Sequence, residues 1–169
     1  MSEPTPNWYA LFVRSRHEFV TSEQLKKRGI EVFLPSVTRK RRWSDRKKAI
    51  VCPLFPGYLF IYTEPSAETF LNILQTRGSV SFVGQEPGRP SPVDPREMET
   101  LRMMLAGCDE LDTYPHLNEG APVLVKQGPL KGAKGVLAKK EDHHLFLVNI
   151  EILGRSVGTK VSAEDLELI

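Results

Sequence analysis

The sequence predicts an α+β fold: an N-terminal ferredoxin-like (split βαβ) domain followed by a small all-β barrel. Two observations predict this class. The front half orders its elements β-α-β-β-α-β with a closing helix, and the last 50 residues contain only short β-rich runs separated by glycines and charged turns. A polar, acidic stretch without apolar period separates them. We place the N-terminal domain at 7–106, the linker at 107–118 and the C-terminal barrel domain at 119–169.

The first strand and helix are predicted from residues 8–29. Residues 8–13 (WYALFV) form a continuous apolar run of strand length. Ser15 is followed three residues later by Glu18, the spacing of a capping box, so we expect a helix to open there and to end at Gly29.

A long basic hairpin should follow the helix. Residues 30–35 and 37–43 are predicted to be extended, Ser44 and Asp45 form the turn, and 48–62 return as a strand interrupted at Pro53, Pro56 and Gly57. Basic residues occupy the consecutive positions 39–42 and therefore point to both faces of their strand. Neither face can be a core, so the arm must project. It is either a charged edge that blocks aggregation or a polyanion-binding arm.

Two helices flank the last strand of this domain. The helical spacing of Ala67, Phe70, Leu71 and Leu74 predicts one apolar face, and residues 80–83 predict a short strand. Asp94, Pro95 and Glu97 are typical of a helix start, with Met98, Leu101 and Leu105 on one face of the closing helix.

The back half is predicted to be a barrel. Its β-rich runs are 123–126, 136–139, 145–152 and 156–161, punctuated by Gly128, Pro129, Gly132 and Gly135. A unit of this size buries only about 60% of its surface on folding, so closing the sheet is an effective way to hide its edges. The same glycines and proline disfavour a helix, and we expect no helical state of this unit.

Composition and charge exclude several classes. The chain is 40% hydrophobic and 26% charged, and its N-terminus lacks a signal-peptide pattern, so we expect a cytoplasmic protein with no membrane association. Cys52 and Cys108 form no CxxC pair, which argues against a disulfide framework or zinc site. Residues 1–106 contain 16 Lys and Arg and 11 Asp and Glu, a net charge of +5. Residues 107–169 contain 7 Lys and Arg and 10 Asp and Glu, a net charge of −3, and the two halves sum to the net +2 of the chain. This asymmetry indicates separate partners for the two halves.

Catalysis is not expected. Cys52 and His17 could form a nucleophile and base, but no third group is placed to orient them. His143 and His144 are adjacent in a predicted strand, so their side chains point to opposite faces and are poorly placed to share a metal. We therefore predict a non-enzyme without cofactor or metal.

Four motifs carry a family resemblance across nearly the whole chain. WYALFV at 8–13, PLFPGYLF at 53–60, TRGSVSFVG at 76–84 and EGAPVLVKQGPLKGAKGV at 119–136 resemble the NusG family of transcription elongation factors. The resemblance implies an NGN domain that binds RNA polymerase at its clamp helices and suppresses pausing or termination. It also implies an SH3-like KOW barrel that recruits other factors. We expect a monomer.

Within that family the chain resembles the specialised paralogs of the RfaH and UpxY type, which act on selected operons. RSRHEFV at 14–20, WSDRKK at 43–48 and Arg77 in TRG carry this resemblance. It departs from RfaH at Glu68, Thr69, Phe70 and Leu71, which replace a Thr-rich motif, so a contact of that motif with the opposite side of the polymerase cleft is not predicted here. The alternatives are a housekeeping NusG-type general elongation factor and a ribosome-associated KOW-type RNA-binding protein.

The resemblance also assigns roles to residues. The predicted polymerase contacts are Phe12, Phe55, Tyr58, Phe60 and Phe82, although core packing is the alternative for each. The predicted contacts to the non-template DNA strand are Arg14, Arg16, His17, Gln24, Lys27, Thr76 and Arg77, for which a solvated helix face is the alternative. Residues of the basic arm add nucleic-acid contacts: Arg39, Arg41, Arg42, Arg46 and Lys47.

The barrel is expected to bind its partner through one loop and one aromatic residue. The candidates are Gly128, Pro129, Leu130, Lys131, Gly132, Lys134 and Phe146. A small-subunit ribosomal protein, Rho and an RNA element remain open as the partner.

Overall fold

The structure is a computed structural model that describes residues 5–43, 46–86, 88–108, 110–115, 120–140 and 143–169, with 41–43, 46–47 and 140 described for the backbone alone. By its contacts the chain divides into two compact units, Met1–Pro92 and Val93–Ile169. In the part of the chain that is described, no helix has the length and apolar character to cross a membrane.

The first unit contains the predicted ferredoxin-like order. Its elements are β1 (Asn7–Val13), α1 (Glu18–Lys27), β2 (Glu31–Phe33), β3 (Ser36–Trp43), β4 (Arg46–Pro53), β5 (Tyr58–Thr63), α2 (Ala67–Leu74) and β6 (Ser79–Phe82). Four strands form an antiparallel sheet in the order β2-β5-β1-β6. This arrangement confirms the split βαβ fold, since the two strands that follow helices lie at the edges.

One face of this sheet forms the core of the unit. Alternate residues of β1 and β5 meet α1 and α2 in a fully buried cluster of Leu11, Val13, Leu25, Leu59, Ile61 and Ile73. The period-2 alternation of strands explains why the intervening residues face the other way. On α2 the buried residue is Ile73, whereas Ala67 is exposed and Leu71 is 62% exposed, so the predicted apolar face was wrong at these two positions.

The start of α1 corrects a prediction. No capping box forms: the N-cap residue is His17, without a side-chain cap bond, and helix α1 begins at Glu18. Arg16 adopts φ 66°, and the His17 amide donates to the Arg14 carbonyl at 3.0 Å, so a tight turn displaces Ser15 from the cap. The buried Glu18 carboxylate instead accepts from the Gly57 amide at 3.1 Å. Glu18 thus joins α1 to the turn before β5.

The end of α1 agrees with the prediction at Gly29. Gly29 has φ 79°, its amide donates to Lys26, and the Ile30 amide donates to Leu25. This is the Schellman pattern, in which a glycine in the left-handed region ends the helix.

Strands β3 and β4 form their own two-stranded sheet, as predicted for the basic hairpin. Their register pairs Arg41 with Lys48 and Arg42 with Lys47. The register therefore places basic positions of the sequence opposite one another along the hairpin. The predicted turn at Ser44 and Asp45 lies outside the described residues.

The described residues of the second unit form one α-helix, two short 3-10 helices and an all-β sheet of the SH3-like type. Its elements are α3 (Pro95–Gly107), β7 (Asp112–Pro115), β8 (Ala121–Val125), β9 (Lys134–Lys140), β10 (His143–Ile150), β11 (Arg155–Val161) and β12 (Leu166–Leu168). The strands pair antiparallel in the order β12-β8-β9-β10-β11-β7. Gly128 and Gly132, both at φ 91°, shape the loop between β8 and β9.

Two features of this unit differ from the sequence-based expectation. The stretch predicted as an irregular linker contains β7, whose residues pair with β11 from Arg155 to Gly158. Helix α3, placed by prediction in the first domain, groups with the barrel, and its Glu97 carboxylate accepts from the Glu151 amide at 3.3 Å. The two units are defined by contacts, whereas the predicted domains are segments expected to fold independently. The predicted domain boundaries at 106 and 119 therefore stay a prediction.

Candidate nucleic-acid and protein interface

The first candidate surface is the aromatic face of the N-terminal sheet, opposite the helix-covered core. Cross-strand pairing sets Phe12 beside Tyr58 and Trp8 beside Tyr62. The rings of Phe12 and Tyr58 lie 5.4 Å apart between centroids, and those of Trp8 and Tyr62 lie 5.2 Å apart. Phe12 is 39% exposed and Tyr58 is half-buried, so this pair offers apolar surface to a partner.

Of the other predicted polymerase contacts, Phe55 and Phe60 are buried and Phe82 is half-buried. Phe55 and Phe60 are 1% and 0% exposed and pack edge to face at 6.2 Å. Phe82 is half-buried and lies on the opposite face, because β6 pairs it with the core residue Leu11. Its ring contacts Phe70 at 4.8 Å. In this structure Phe55, Phe60 and Phe82 therefore support the fold, and their role as polymerase contacts stays a prediction.

The second candidate surface is built where the Thr76–Gly78 turn meets helix α1. The Arg14 amide donates to the Gly78 carbonyl at 2.8 Å, and the Thr21 hydroxyl donates to the Arg77 carbonyl at 2.8 Å. A Cβ on Gly78, which has φ 91°, would lie 2.9 Å from the His17 Cβ and closer still to the Thr21 hydroxyl. The turn therefore rests directly on the first half of α1.

This contact brings Arg14, His17 and Arg77 to one region, and Arg16, Gln24 and Lys27 lie on α1 or just before it. Arg14, Arg16, Gln24, Lys27 and Arg77 are exposed, and His17 is half-buried with Nδ1 3.0 Å from the Ser15 carbonyl. Residues 17, 21, 24 and 28 recur at helical spacing, so Gln24 lies on the side of α1 that faces the turn. Four of these side chains are cationic, which favours an anionic partner.

Thr76 is the exception among the predicted contacts. It is only 7% exposed, and its hydroxyl accepts a hydrogen bond of 2.6 Å from Arg28 Nη1. Prediction from the sequence assigned no role to Arg28, Thr21 or Asn72, although all three hold this turn or the helix before it. No local signal pointed to Arg28, because its partners Asn72 and Thr76 lie 44 and 48 residues away along the chain.

The basic arm contributes described cations at Arg39, Lys40 and Lys48. Arg39 is half-buried, whereas Lys40 and Lys48 are exposed. The side chains of Arg41, Arg42, Arg46 and Lys47 lie outside what the structure describes. Their backbones pair in the register of β3 and β4 given above.

In the barrel, most of the predicted partner loop is exposed. Gly128, Pro129, Lys131, Gly132 and Lys134 are open to solvent. Lys131 and Lys134 line a cleft of about 510 Å³ that also contacts Arg96 and Glu97 of α3.

Two members of the predicted partner surface are buried in this structure. Leu130 is 5% exposed and Phe146 is 0% exposed. Phe146 fills the interior because Gly135 leaves room for its ring. It therefore offers no surface to a partner.

Comparison with known proteins identifies the family. The family model described as transcription termination factor nusG matches residues 6–102, more than half of the chain. The chain belongs to the NusG family. We therefore describe it as a NusG-like transcription termination/antitermination factor.

Two relatives and one solved structure extend the match along the chain. The NusG protein of Haemophilus influenzae is 26% identical over 162 residues, covering 90% of this chain and 83% of that protein. The Staphylococcus aureus protein is 24% identical over 172 residues, covering 95% and 94%. Both are named transcription termination/antitermination proteins. A structure titled "Domain interaction in Thermotoga maritima NusG" aligns with 98% of each chain at a TM-score of 0.56 and 23% identity, supporting the fold.

Proposed function

We propose that this NusG family member binds the clamp helices of RNA polymerase through the Phe12–Tyr58 face. In this proposal it contacts the non-template DNA strand through the cationic surface around Arg77 and suppresses pausing or termination at selected operons. The barrel recruits a further factor. The protein acts in the cytoplasm as a monomer, without a catalytic step or cofactor.

One observation carries this proposal: the aromatic pair and the cationic surface adjoin at the same end of the central strand. Phe12 lies on β1 and Arg14 directly follows Val13, the last residue of that strand, so the two are about 7 Å apart along an extended chain. Gly57, which precedes Tyr58, accepts from the Val13 amide at 2.8 Å, and Gly78 accepts from the Arg14 amide at 2.8 Å. An aromatic surface and a cationic surface that adjoin at one end of a strand can contact a polymerase and the DNA exposed beside it at the same time.

The aromatic pair is suited to a protein partner. Removing one such side chain from water contributes about 1.5–3 kcal/mol, and a few central aromatics commonly dominate an interface. Phe12 and Tyr58 already contact each other, so little conformational freedom remains to be lost on binding.

The cationic surface is suited to single-stranded DNA. Arg14, Arg16, Lys27 and Arg77 neutralise phosphates, and the release of counterions makes such binding salt-dependent. An unpaired base also offers hydrogen-bonding edges and a stacking face to an arginine. Arg77 is exposed on a fixed turn, so it is the residue that we propose for template choice.

The specialised role rests on the residues of this surface. RSRHEFV at 14–20 and Arg77 in TRG resemble the RfaH and UpxY type. The exposed loop with Lys131 and Lys134 is the proposed partner site of the barrel, and a small-subunit ribosomal protein, Rho and RNA are the partner classes to compare.

In vitro elongation with purified polymerase tests the proposal. Wild type, Tyr58→Ala and Arg77→Ala are compared on several templates, with Arg89→Ala as a control for loss of an exposed arginine in a surface ion pair. We expect Tyr58→Ala to lose activity on every template and Arg77→Ala to lose it on the preferred templates alone.

Each alternative gives a different result. An equal effect of Arg77→Ala on all templates would support a general elongation factor. Co-sedimentation with ribosomal subunits, with no response to free polymerase, would instead support a ribosome-associated protein.

A further inference from the structure

We infer that Arg28 and Thr76 are positioning residues that fix the Thr76–Gly78 turn and thereby aim the Arg77 side chain. The inference rests on the proposed function of Arg77. It changes the role of Thr76 from a DNA contact to a support, and it adds Arg28 as a determinant of specificity.

Arg28 caps the C-terminus of α2 from a different helix. Its Nη1 and Nη2 donate to the Asn72 carbonyl at 3.3 and 3.2 Å, and Nη2 also donates to Asn72 Oδ1. The Asn72 carbonyl is one of the last four of α2, which have no donor within the helix. The last turn of α2 contains no basic residue of its own, so Arg28 supplies the positive charge that a helix C-terminus favours.

The same guanidinium reaches the first residue of the turn. Arg28 Nη1 donates to Thr76 Oγ1 at 2.6 Å, within a site where Thr76 is 7% exposed. The planar guanidinium carries several N–H donors in a fixed geometry, so it can bond to the helix end and to the turn at the same time. The ammonium group of a lysine, on a flexible side chain, does this less well. Arg28 therefore couples the end of α2 to the start of the turn.

A second attachment holds the other end of the turn. Thr21 Oγ1 donates to the Arg77 carbonyl, the Gly78 carbonyl accepts from Arg14, and Gly78 packs against His17. With one end held by Arg28 and the other by Thr21 and Arg14, the backbone of Arg77 is fixed while its side chain stays exposed. Such preorganisation lowers the ordering cost of binding and favours one arrangement of the DNA over others.

Hydrogen exchange on the full chain tests the positioning directly. The Ser79 amide donates to the Thr76 carbonyl at 3.1 Å and the Arg14 amide donates to Gly78, so both amides report on the turn. We expect Arg28→Met to speed their exchange by about tenfold or more and to leave the amides of β1 paired with β5 unchanged. Arg89→Met, which removes an exposed arginine from a surface ion pair, should change neither set. Unchanged exchange at Ser79 and Arg14 in Arg28→Met would overturn the inference.

A double-mutant cycle on template preference tests the consequence. Arg28→Met and Thr76→Val should each reduce the preference for the selected template by about fivefold, and the double variant should be no worse than either alone. Multiplicative losses would show that Thr76 contacts DNA itself and would overturn its positioning role. Arg28→Lys should restore part of the loss.

Arg77→Ala separates this inference from the proposed function. If Arg77→Ala abolishes template preference and Arg28→Met does not, the inference alone fails. If Arg77→Ala has no effect on any template, the proposed function of the cationic surface fails and the inference fails with it.

Discussion

At the scale of single residues, buried polar contacts decide where the candidate surfaces lie. Glu18 and Thr21 both lie on the buried side of α1, and each bonds a backbone group of a turn that carries a candidate contact. Glu18 holds Gly57 beside Tyr58, and Thr21 holds Arg77. Glu18 and Thr21 are buried, yet they set the positions of the half-buried Tyr58 and the exposed Arg77.

Gly78→Ala should be more destabilising than a matched glycine substitution. Both Gly78 and Gly29 have positive φ, which costs an L-residue about 1–2 kcal/mol. At Gly78 the added Cβ would also meet Thr21 and His17, whereas Gly29 has open space around it. We expect Gly78→Ala to cost at least about 1 kcal/mol more than Gly29→Ala in urea unfolding. Equal costs would show that the turn does not rest on α1.

Glu18→Ala should also destabilise the first unit. The substitution leaves the buried Gly57 amide without its acceptor, a loss of about 1–3 kcal/mol. Glu23→Ala, at an exposed position of the same helix, should change the free energy of unfolding by less than about 0.5 kcal/mol. Similar values for the two variants in thermal unfolding would contradict the role given to Glu18.

At the scale of elements, local sequence patterns predicted most of the fold. The continuous apolar run of β1, the return strand that contains β5 and the glycine at the end of α1 predicted elements close to the observed ones. The start of α1 was missed because positive φ at Arg16 depends on the contact of the turn with the rest of the unit. Strand β7 was missed because its four residues, DTYP, are extended only by pairing with β11.

Only part of the candidate site could be predicted, because some of its residues depend on long-range contacts. Cations such as Arg14 and Arg77 could be named from motifs, because a role at the surface needs only that the side chain is exposed. The burial of Thr76 and the reach of Arg28 depend on how α1 and α2 lie together, a long-range contact that no local pattern encodes. The fully buried state of Phe55 and Phe60 could not be separated from surface exposure by alternation alone.

The basic hairpin should add affinity without template choice. Replacing both exposed lysines, Lys40 and Lys48, with glutamine should lower the slope of log binding constant against log salt by up to about 1.4–1.8, since each phosphate contact contributes about 0.7–0.9. Binding of the full chain to DNA at several salt concentrations measures this slope. Loss of template preference in this variant would contradict the assignment of selectivity to Arg77.

At the scale of the whole molecule, the two units show separate surfaces suited to different partners. The first unit offers the Phe12–Tyr58 pair and the cations around Arg77, and the second offers an exposed loop with Lys131 and Lys134. Membership of the NusG family agrees with two such units in one chain.

The barrel should remain β-structured when separated from the first unit. Paired strands from Ala121 to Leu168 and a fully buried Phe146 favour this state. Because β7 covers the edge of β11, a fragment of residues 110–169 should unfold at higher temperature than one of 116–169. Far-UV circular dichroism measures both; a helix-dominated spectrum of either fragment would contradict the prediction.

The affinity of purified RNA polymerase for the full chain, without added DNA, tests the central claim most directly. We predict that Tyr58→Ala weakens binding by about tenfold or more, since about 1.4 kcal/mol of interface energy is lost, whereas Arg77→Ala stays within about twofold of wild type. Binding of Tyr58→Ala at the wild-type affinity would contradict the claim that the aromatic face is the polymerase-binding surface.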